Sequence, residues 1–119
     1  MGKGHQDKVA VITGAANGLG QAFAKRLAED GAHVAIADIA RGDATARMVE
    51  QAGRQALVCK CDVASPPSIA AMAAEVHKTF GRCDILINSA GIFPQTGFDQ
   101  MTFEDWRRVL SINLDSVFL

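Results

Sequence analysis

Three glycines fall within seven residues of this chain, in the stretch Thr13-Gly14-Ala15-Ala16-Asn17-Gly18-Leu19-Gly20. Glycine loses more backbone freedom on folding than any other residue. Such a run therefore marks a sharp turn, or a place where something approaches the backbone closely. The run follows an apolar stretch, Lys8 to Thr13, and opens an amphipathic one. A strand, a glycine turn and a helix in that order aim backbone N–H groups at one point, and the helix dipole favours an anion there. The pyrophosphate of a dinucleotide is such an anion. The spacing is G-x3-G-x-G rather than G-x-G-x-x-G. Asp38 ends the next apolar stretch, about 20 residues on, where a carboxylate would meet the adenosine ribose hydroxyls. A tight turn with packing glycines is the competing reading.

Apolar periodicity supplies the elements that must position these residues. Lys8–Thr13, His33–Asp38, Gln55–Cys61 and Cys83–Ile87 read as short buried strands. Between them lie helical patterns over 18–30 and 43–51, and a third from Ser65, an N-cap ahead of Pro66, to Phe80. In the first helix Leu19, Phe23 and Leu27, with Ala22 alongside, form the expected apolar stripe. Gly31, Gly53 and Gly81 close the three helices, and Thr102 with Asp105 opens a last one as a capping-box variant. Strand–helix alternation predicts an α/β fold, a Rossmann-type doubly wound parallel sheet with helices on both faces. A sheet of only four strands would leave an apolar edge. Ser116–Leu119 also falls within an apolar helical pattern. The expectation is a flexible tail over 1–7, and over 8–119 the N-terminal half of a larger single domain.

Bulk properties exclude several classes. The 119 residues are 49% hydrophobic and 21% charged with net charge −1, an ordinary globular balance. No basic cluster points to nucleic acid or an anionic membrane surface. No apolar run reaches the length of a membrane span. The polar N-terminus lacks the core of a secretory signal. Three cysteines, Cys59, Cys61 and Cys83, without such a signal predict reduced thiols and a cytoplasmic protein. Cys59 and Cys61 share a strand face. Their spacing is shorter than zinc ligands use, so they read as buried small hydrophobes. His5, His33 and His77 are scattered, and no metal site is expected.

The motif Thr13-Gly14-x3-Gly18-x-Gly20 resembles the cofactor motif of the short-chain dehydrogenase/reductase family, and the resemblance covers the chain after its tail. Asp62-Val63 resembles the family's adenine-contacting pair. Asn88-Ser89-Ala90-Gly91 resembles its N-N-A-G loop, with Ser89 replacing the second asparagine. Asn113 matches its catalytic asparagine. The resemblance implies strand order 3-2-1-4, with the glycine turn and the Asn88–Gly91 loop flanking one site at the switch between first and fourth strands. It implies NAD held by Gly14, Asn17, Gly18, Leu19, Gly20, Asp38, Asp62, Val63, Asn88, Ala90 and Gly91. It implies hydride transfer between NAD(H) and a secondary alcohol or ketone, and a homo-oligomer, dimer or tetramer, formed through the Trp106–Leu119 helix. Asn113 would help hold a water in the proton relay. Helical spacing places it on a buried face with Trp106, Val109, Leu110, Leu114 and Val117. The family's serine and Y-x-x-x-K pair find no match, since the chain has no tyrosine. The chain alone is therefore expected to be inactive.

NAD is favoured because a carboxylate at Asp38 would repel a 2′-phosphate. The positions where NADP-using relatives carry a basic residue hold Asn17 and Ile39, although Arg41 lies near. Ile92-Phe93-Pro94 favours a hydrophobic alcohol or ketone as substrate. The alternatives are an NADP-dependent 3-oxoacyl reductase and a non-catalytic NAD(H)-binding sensor.

Overall fold

A computed structural model describes residues 4–119. Its elements are β1 (Val9–Thr13), α1 (Gly18–Glu29), β2 (His33–Asp38), α2 (Asp43–Gln51), β3 (Ala56–Lys60), α3 (Pro66–Phe80) and β4 (Ile85–Asn88). A 3-10 turn (Phe98–Gln100), α4 (Phe103–Leu110), a π-helical turn (Ser111–Asp115) and α5 (Ser116–Phe118) follow. The four strands are parallel, in the order β3-β2-β1-β4. Helices cover both faces, as expected for a Rossmann-type sheet. Strand alternation divides the core in two. Ala10, Ile12, Val34 and Ile36 pack with Ala24 and Ala28 of α1 and Val49 of α2. Val11, Ala35 and Ala37 face the other way, against Met72 and Val76 of α3. Both Cys59 and Cys61 lie in that second cluster, as buried hydrophobes. Burial first, then the neighbouring Glu75 carboxylate, pushes the Cys59 thiol up to about 12, so it stays neutral and unreactive.

The helix boundaries follow their chemistry. Ser65 accepts from the Ser68 N–H at 3.3 Å, Pro66 opens α3, and Gly81 ends it at φ +72°. Thr102 and Asp105 form a reciprocal capping box at 3.1 and 2.9 Å. One stripe differs from expectation. In α1 the buried residues are Gly20, Ala24 and Ala28, while Leu19 is 72% exposed and Phe23 is also exposed. Small side chains let α1 sit close to the sheet, which turns the bulky pair outward. The inner end of the expected tail also differs. Residues 1–3 lie outside the described residues, but residues 4–7 form a turn tied to the end of α1. Asp7 N–H donates to Gly31 O at 2.9 Å, His5 pairs with Asp30, and Arg54 pairs with Asp7.

Among the described residues β4 pairs only with β1, and Leu86 stands exposed on it. Its start is fixed by Asp84. That carboxylate accepts from Val9 N–H at 2.9 Å and from Arg82 at 2.6 Å, while Asp84 N–H donates to Val9 O at 2.9 Å. Arg82 first, then the Val9 N–H, holds Asp84 below the usual carboxylate range. A depressed folded value stabilises above the unfolded pKa of about 3.9, and that contribution disappears as pH falls through the folded value. Asp84→Asn is therefore expected to be less stable at neutral pH. Its melting temperature should fall less than the wild type's between about pH 6 and about pH 3. Thermal melts across that range check this.

Candidate functional site

A cleft of about 500 Å³ opens beyond the C-terminal ends of the strands. That end of a doubly wound sheet, at the switch between β1 and β4, is where ligands bind. The glycine turn after β1 forms its floor, Asp38–Ala40 after β2 and Cys61–Val63 after β3 form one side, and Ser89–Ile92 after β4 forms the other.

Each glycine of the turn does something different. A Cβ on Gly14 would lie 2.7 Å from Ala90 Cα, and its φ is +65°. A Cβ on Gly20 would lie 2.2 Å from Gly14 O. These two permit protein–protein contacts, joining β1 to the β4 loop and α1 to the turn. Only Gly18, at φ +57°, would carry its Cβ into open space, and it lines the cleft. The competing reading of packing glycines thus describes Gly14 and Gly20, and approach by a ligand fits Gly18. Asn17 is the N-cap of α1 but makes no capping hydrogen bond with its side chain. The first-turn N–H groups of α1 consequently have no side-chain acceptor, and this arrangement suits an anion.

Thr13 closes the switch point. Its buried hydroxyl accepts from the N–H groups of both Ser89 and Ala90 at 3.1 Å. Those bonds hold the β4 loop against the glycine turn. Asp38 lines the cleft with a carboxylate already anchored at both oxygens. One accepts from Ala16 N–H and the other from Ala40 N–H, each at 2.9 Å. Asp62 Oδ1 accepts from Ala64 N–H at 3.0 Å, fixing the bend after β3. Arg41 reaches Asp43 at 3.1 Å and does not line the cleft.

The structure brings together Gly14, Asn17, Gly18, Leu19, Gly20, Asp38, Asp62, Val63, Ala90 and Gly91 as lining residues. Asn88 is not among them. It lines a second, adjoining groove that shares Val63 with the cleft, beside Thr13 and Leu86. Asn113 does not line the cleft either, and its expected burial is not found: it is exposed. The segment is not a continuous α-helix: a π turn at Ser111–Asp115 changes every later offset. Trp106, Leu114 and Val117 are exposed as well. Asn113 instead clamps one backbone unit. Its Oδ1 accepts from Ile92 N–H and its Nδ2 donates to Ile92 O, both at 2.8 Å. Ser89, Cys61, Arg108 and Ile112 line the cleft beyond the residues expected from the sequence, and Ile92 of the apolar Ile92-Phe93-Pro94 stretch lines it as well. Their signal was available in part. Cys61 and Ser89 each lie just past a strand end, and Arg108 and Ile112 stand one helical turn apart.

Among the described residues no group of three or more His, Cys, Asp or Glu could hold a metal, and no helix is long and apolar enough to cross a membrane.

A parallel 3-2-1-4 sheet with an open glycine turn at its switch point defines a Rossmann-type fold. The short chain dehydrogenase family model matches residues 8–119, and the chain belongs to the short-chain dehydrogenase/reductase family, a family of oxidoreductases. It is 42% identical over its full length to a cis-4-hydroxycyclohexanecarboxylate dehydrogenase of Sinomonas cyclohexanicum, covering 49% of that protein. It is 40% identical over 94% of its length to a D-threitol dehydrogenase of Mycolicibacterium smegmatis, covering 44% of it. A crystal structure of a short chain dehydrogenase from Mycobacterium paratuberculosis bound to NAD superimposes with a TM-score of 0.91. The two are 31% identical, over 98% of this chain and 48% of that one. The chain spans about half the length of the curated relatives it matches.

Proposed function

We propose that the cleft binds NAD(H), and that this chain is the cofactor-binding part of a dehydrogenase acting on a secondary alcohol or ketone. One observation carries the cofactor reading: an α1 N-terminus without a side-chain cap, opening at Gly18, and an anchored carboxylate, Asp38, line the same cleft. The N–H groups of the first turn of α1 hold the pyrophosphate. Asp38 accepts from the adenosine ribose hydroxyls with lone pairs left free by Ala16 and Ala40. Asp62 and Val63 meet the adenine. Ala90 and Gly91, held by Thr13, form the wall that leads to the nicotinamide. Bound there, the nicotinamide ring supplies or accepts the hydride.

NAD is preferred to NADP because the Asp38 carboxylate would repel a 2′-phosphate, Arg41 is paired with Asp43, and Asn17 and Ile39 are neutral. The cation that lines the cleft, Arg108, comes from α4 rather than from the segment around Asp38. The substrate class rests on the names of the relatives, which act on cyclic and linear alcohols, and on the apolar Ile92-Phe93-Pro94 after the loop. Asn113 contributes through Ile92, holding the end of the cleft wall in register with the π turn. The groups that move the proton are supplied by residues outside 1–119, in a larger domain of which 8–119 is the N-terminal part. Assembly with copies of itself runs through the Trp106–Leu119 segment, where Trp106, Leu114, Val117 and Phe118 are exposed.

The test is an initial-rate assay of the full-length protein with NAD+ and a panel of hydrophobic secondary alcohols, cyclohexanols included. Turnover is expected, together with loss of most of the rate when a tyrosine standing four residues before a lysine is changed to phenylalanine. No turnover on any alcohol or on the matching ketones with NADH, or full activity in the tyrosine variant, overturns the reading.

A further inference from the structure

We propose that Thr45, on α2 and outside the cleft, is a positioning residue that sets the plane of the glycine turn for its phosphate ligand. This rests on the reading of the cleft as a dinucleotide site. The turn's central peptide, Ala15–Ala16, is held from both ends. Its carbonyl, Ala15 O, accepts from the Thr45 hydroxyl at 2.7 Å. Its amide, Ala16 N–H, donates to Asp38 at 2.9 Å. A flip of that peptide would break both bonds at once.

Thr45 is fully buried, and Ala15 and Ala16 are buried with it. A buried carbonyl left without a donor is costly, so this bond is one the turn cannot exchange for water. The hydroxyl is used in both directions, since it also accepts from Gln21 Nε2 at 3.0 Å. Gln21 stands on α1, and the same Nε2 lies 3.3 Å from Ala16 O. The two carbonyls of the turn and the first helix are thus tied into one network that ends on Thr45.

The arrangement has a functional consequence. Asp38 and Thr45 flank the connection from β2 into α2, and they grip opposite ends of one peptide. The direction of that peptide fixes the direction of the N–H groups immediately after it, at Asn17 through Gly20. The segment proposed to recognise the ribose therefore also orients the donors proposed for the pyrophosphate. A threonine fits where valine would not, because only the hydroxyl reaches Ala15 O, and serine should do nearly as well.

The test compares NADH with adenosine, which lacks the phosphates, on full-length protein carrying Thr45→Val or Thr45→Ser. NADH binding is followed by fluorescence and adenosine by its competition with NADH. Thr45→Val is expected to weaken NADH roughly tenfold while changing adenosine much less, since Ala40 N–H still anchors Asp38, and Thr45→Ser to restore the NADH affinity. Wild-type NADH affinity in Thr45→Val overturns the proposal. So does an equal loss for NADH and adenosine, or a serine variant as weak as the valine one, since either would mean a merely structural role. If Thr45→Val does not fold, Thr45→Cys, similar in volume and a weaker donor, carries the same comparison. A wild-type protein that binds no NADH overturns the dinucleotide reading itself, and this proposal with it.

Discussion

Gly20→Ala is expected to leave no stably folded protein. The added Cβ would stand 2.2 Å from Gly14 O and 2.7 Å from Gly14 C, both backbone atoms of the turn beneath α1. No rotamer relieves a clash between two backbones, so α1 must lift from the turn or the turn must open. Overpacking of this kind costs about 3 kcal/mol or more, a large part of a domain's stability. Gly18→Ala makes the contrast. Its Cβ would meet nothing within 4 Å, so the cost is about 1–2 kcal/mol for a left-handed residue. That variant should fold, yet lose NADH affinity by at least about tenfold, because the methyl group enters the space where the phosphate would sit. Urea unfolding of both variants, with NADH titration of the second, checks the pair. A Gly20→Ala protein of wild-type stability, or a Gly18→Ala protein of wild-type affinity, contradicts the division of labour among the glycines.

Asn113→Leu is expected to lower turnover by roughly 10²-fold while NADH affinity barely moves. The amide makes two hydrogen bonds to Ile92, and leucine makes neither. Each is worth about 0.5–1.5 kcal/mol net, so stability should fall by about 1–3 kcal/mol. The larger effect falls on geometry, since Ile92 ends the cleft wall and the π turn loses its hold on it. Asn113→Asp separates the two bonds: it keeps an acceptor for Ile92 N–H but turns a second oxygen toward Ile92 O. It should be slow as well. Steady-state kinetics of the full-length variants decide. Unchanged turnover in a folded Asn113→Leu protein would reduce Asn113 to local packing.

Most element boundaries were legible because each rests on a short-range signal, whereas the strand order came from the family resemblance. Ser65-Pro66, Thr102 with Asp105 and Gly81 mark helix ends by their own hydrogen bonds or backbone conformation. The apolar runs of β1 and β2 mark strands buried on both faces. Most of the cleft was legible as well: the glycine turn and Asp38 from their places at strand ends, and Asp62, Val63 and the Asn88–Gly91 loop from the family resemblance. What escaped were facts of tertiary geometry. Leu19 and Phe23 look like a core stripe, but the close approach of α1 to the sheet buries Ala24 and Ala28 instead. Asn113 looks buried on an α-helical wheel, and a π turn removes the wheel's premise. Asn88 looks like a partner of Ala90, yet β4 ends at Asn88 and the two residues line different grooves. Thr45 has no sequence signal at all, because its partner Ala15 is thirty residues away and offers only a backbone carbonyl.

The central claim is that Asp38 makes this cleft a site for NAD(H). Full-length protein should be titrated with NADH and NADPH at one fixed salt concentration. Hydrogen bonds from ribose hydroxyls to a carboxylate are worth about 1.5–3 kcal/mol, which predicts NADH binding roughly 10- to 150-fold tighter. Asp38→Asn is the informative variant, since alanine would release both the Ala16 and Ala40 N–H groups, while asparagine still accepts from one of them. Asparagine removes the charge and keeps an acceptor, and it should bring the two affinities close together. Equal or tighter binding of NADPH by the wild type, or an Asp38→Asn protein that keeps the full preference, would contradict the claim.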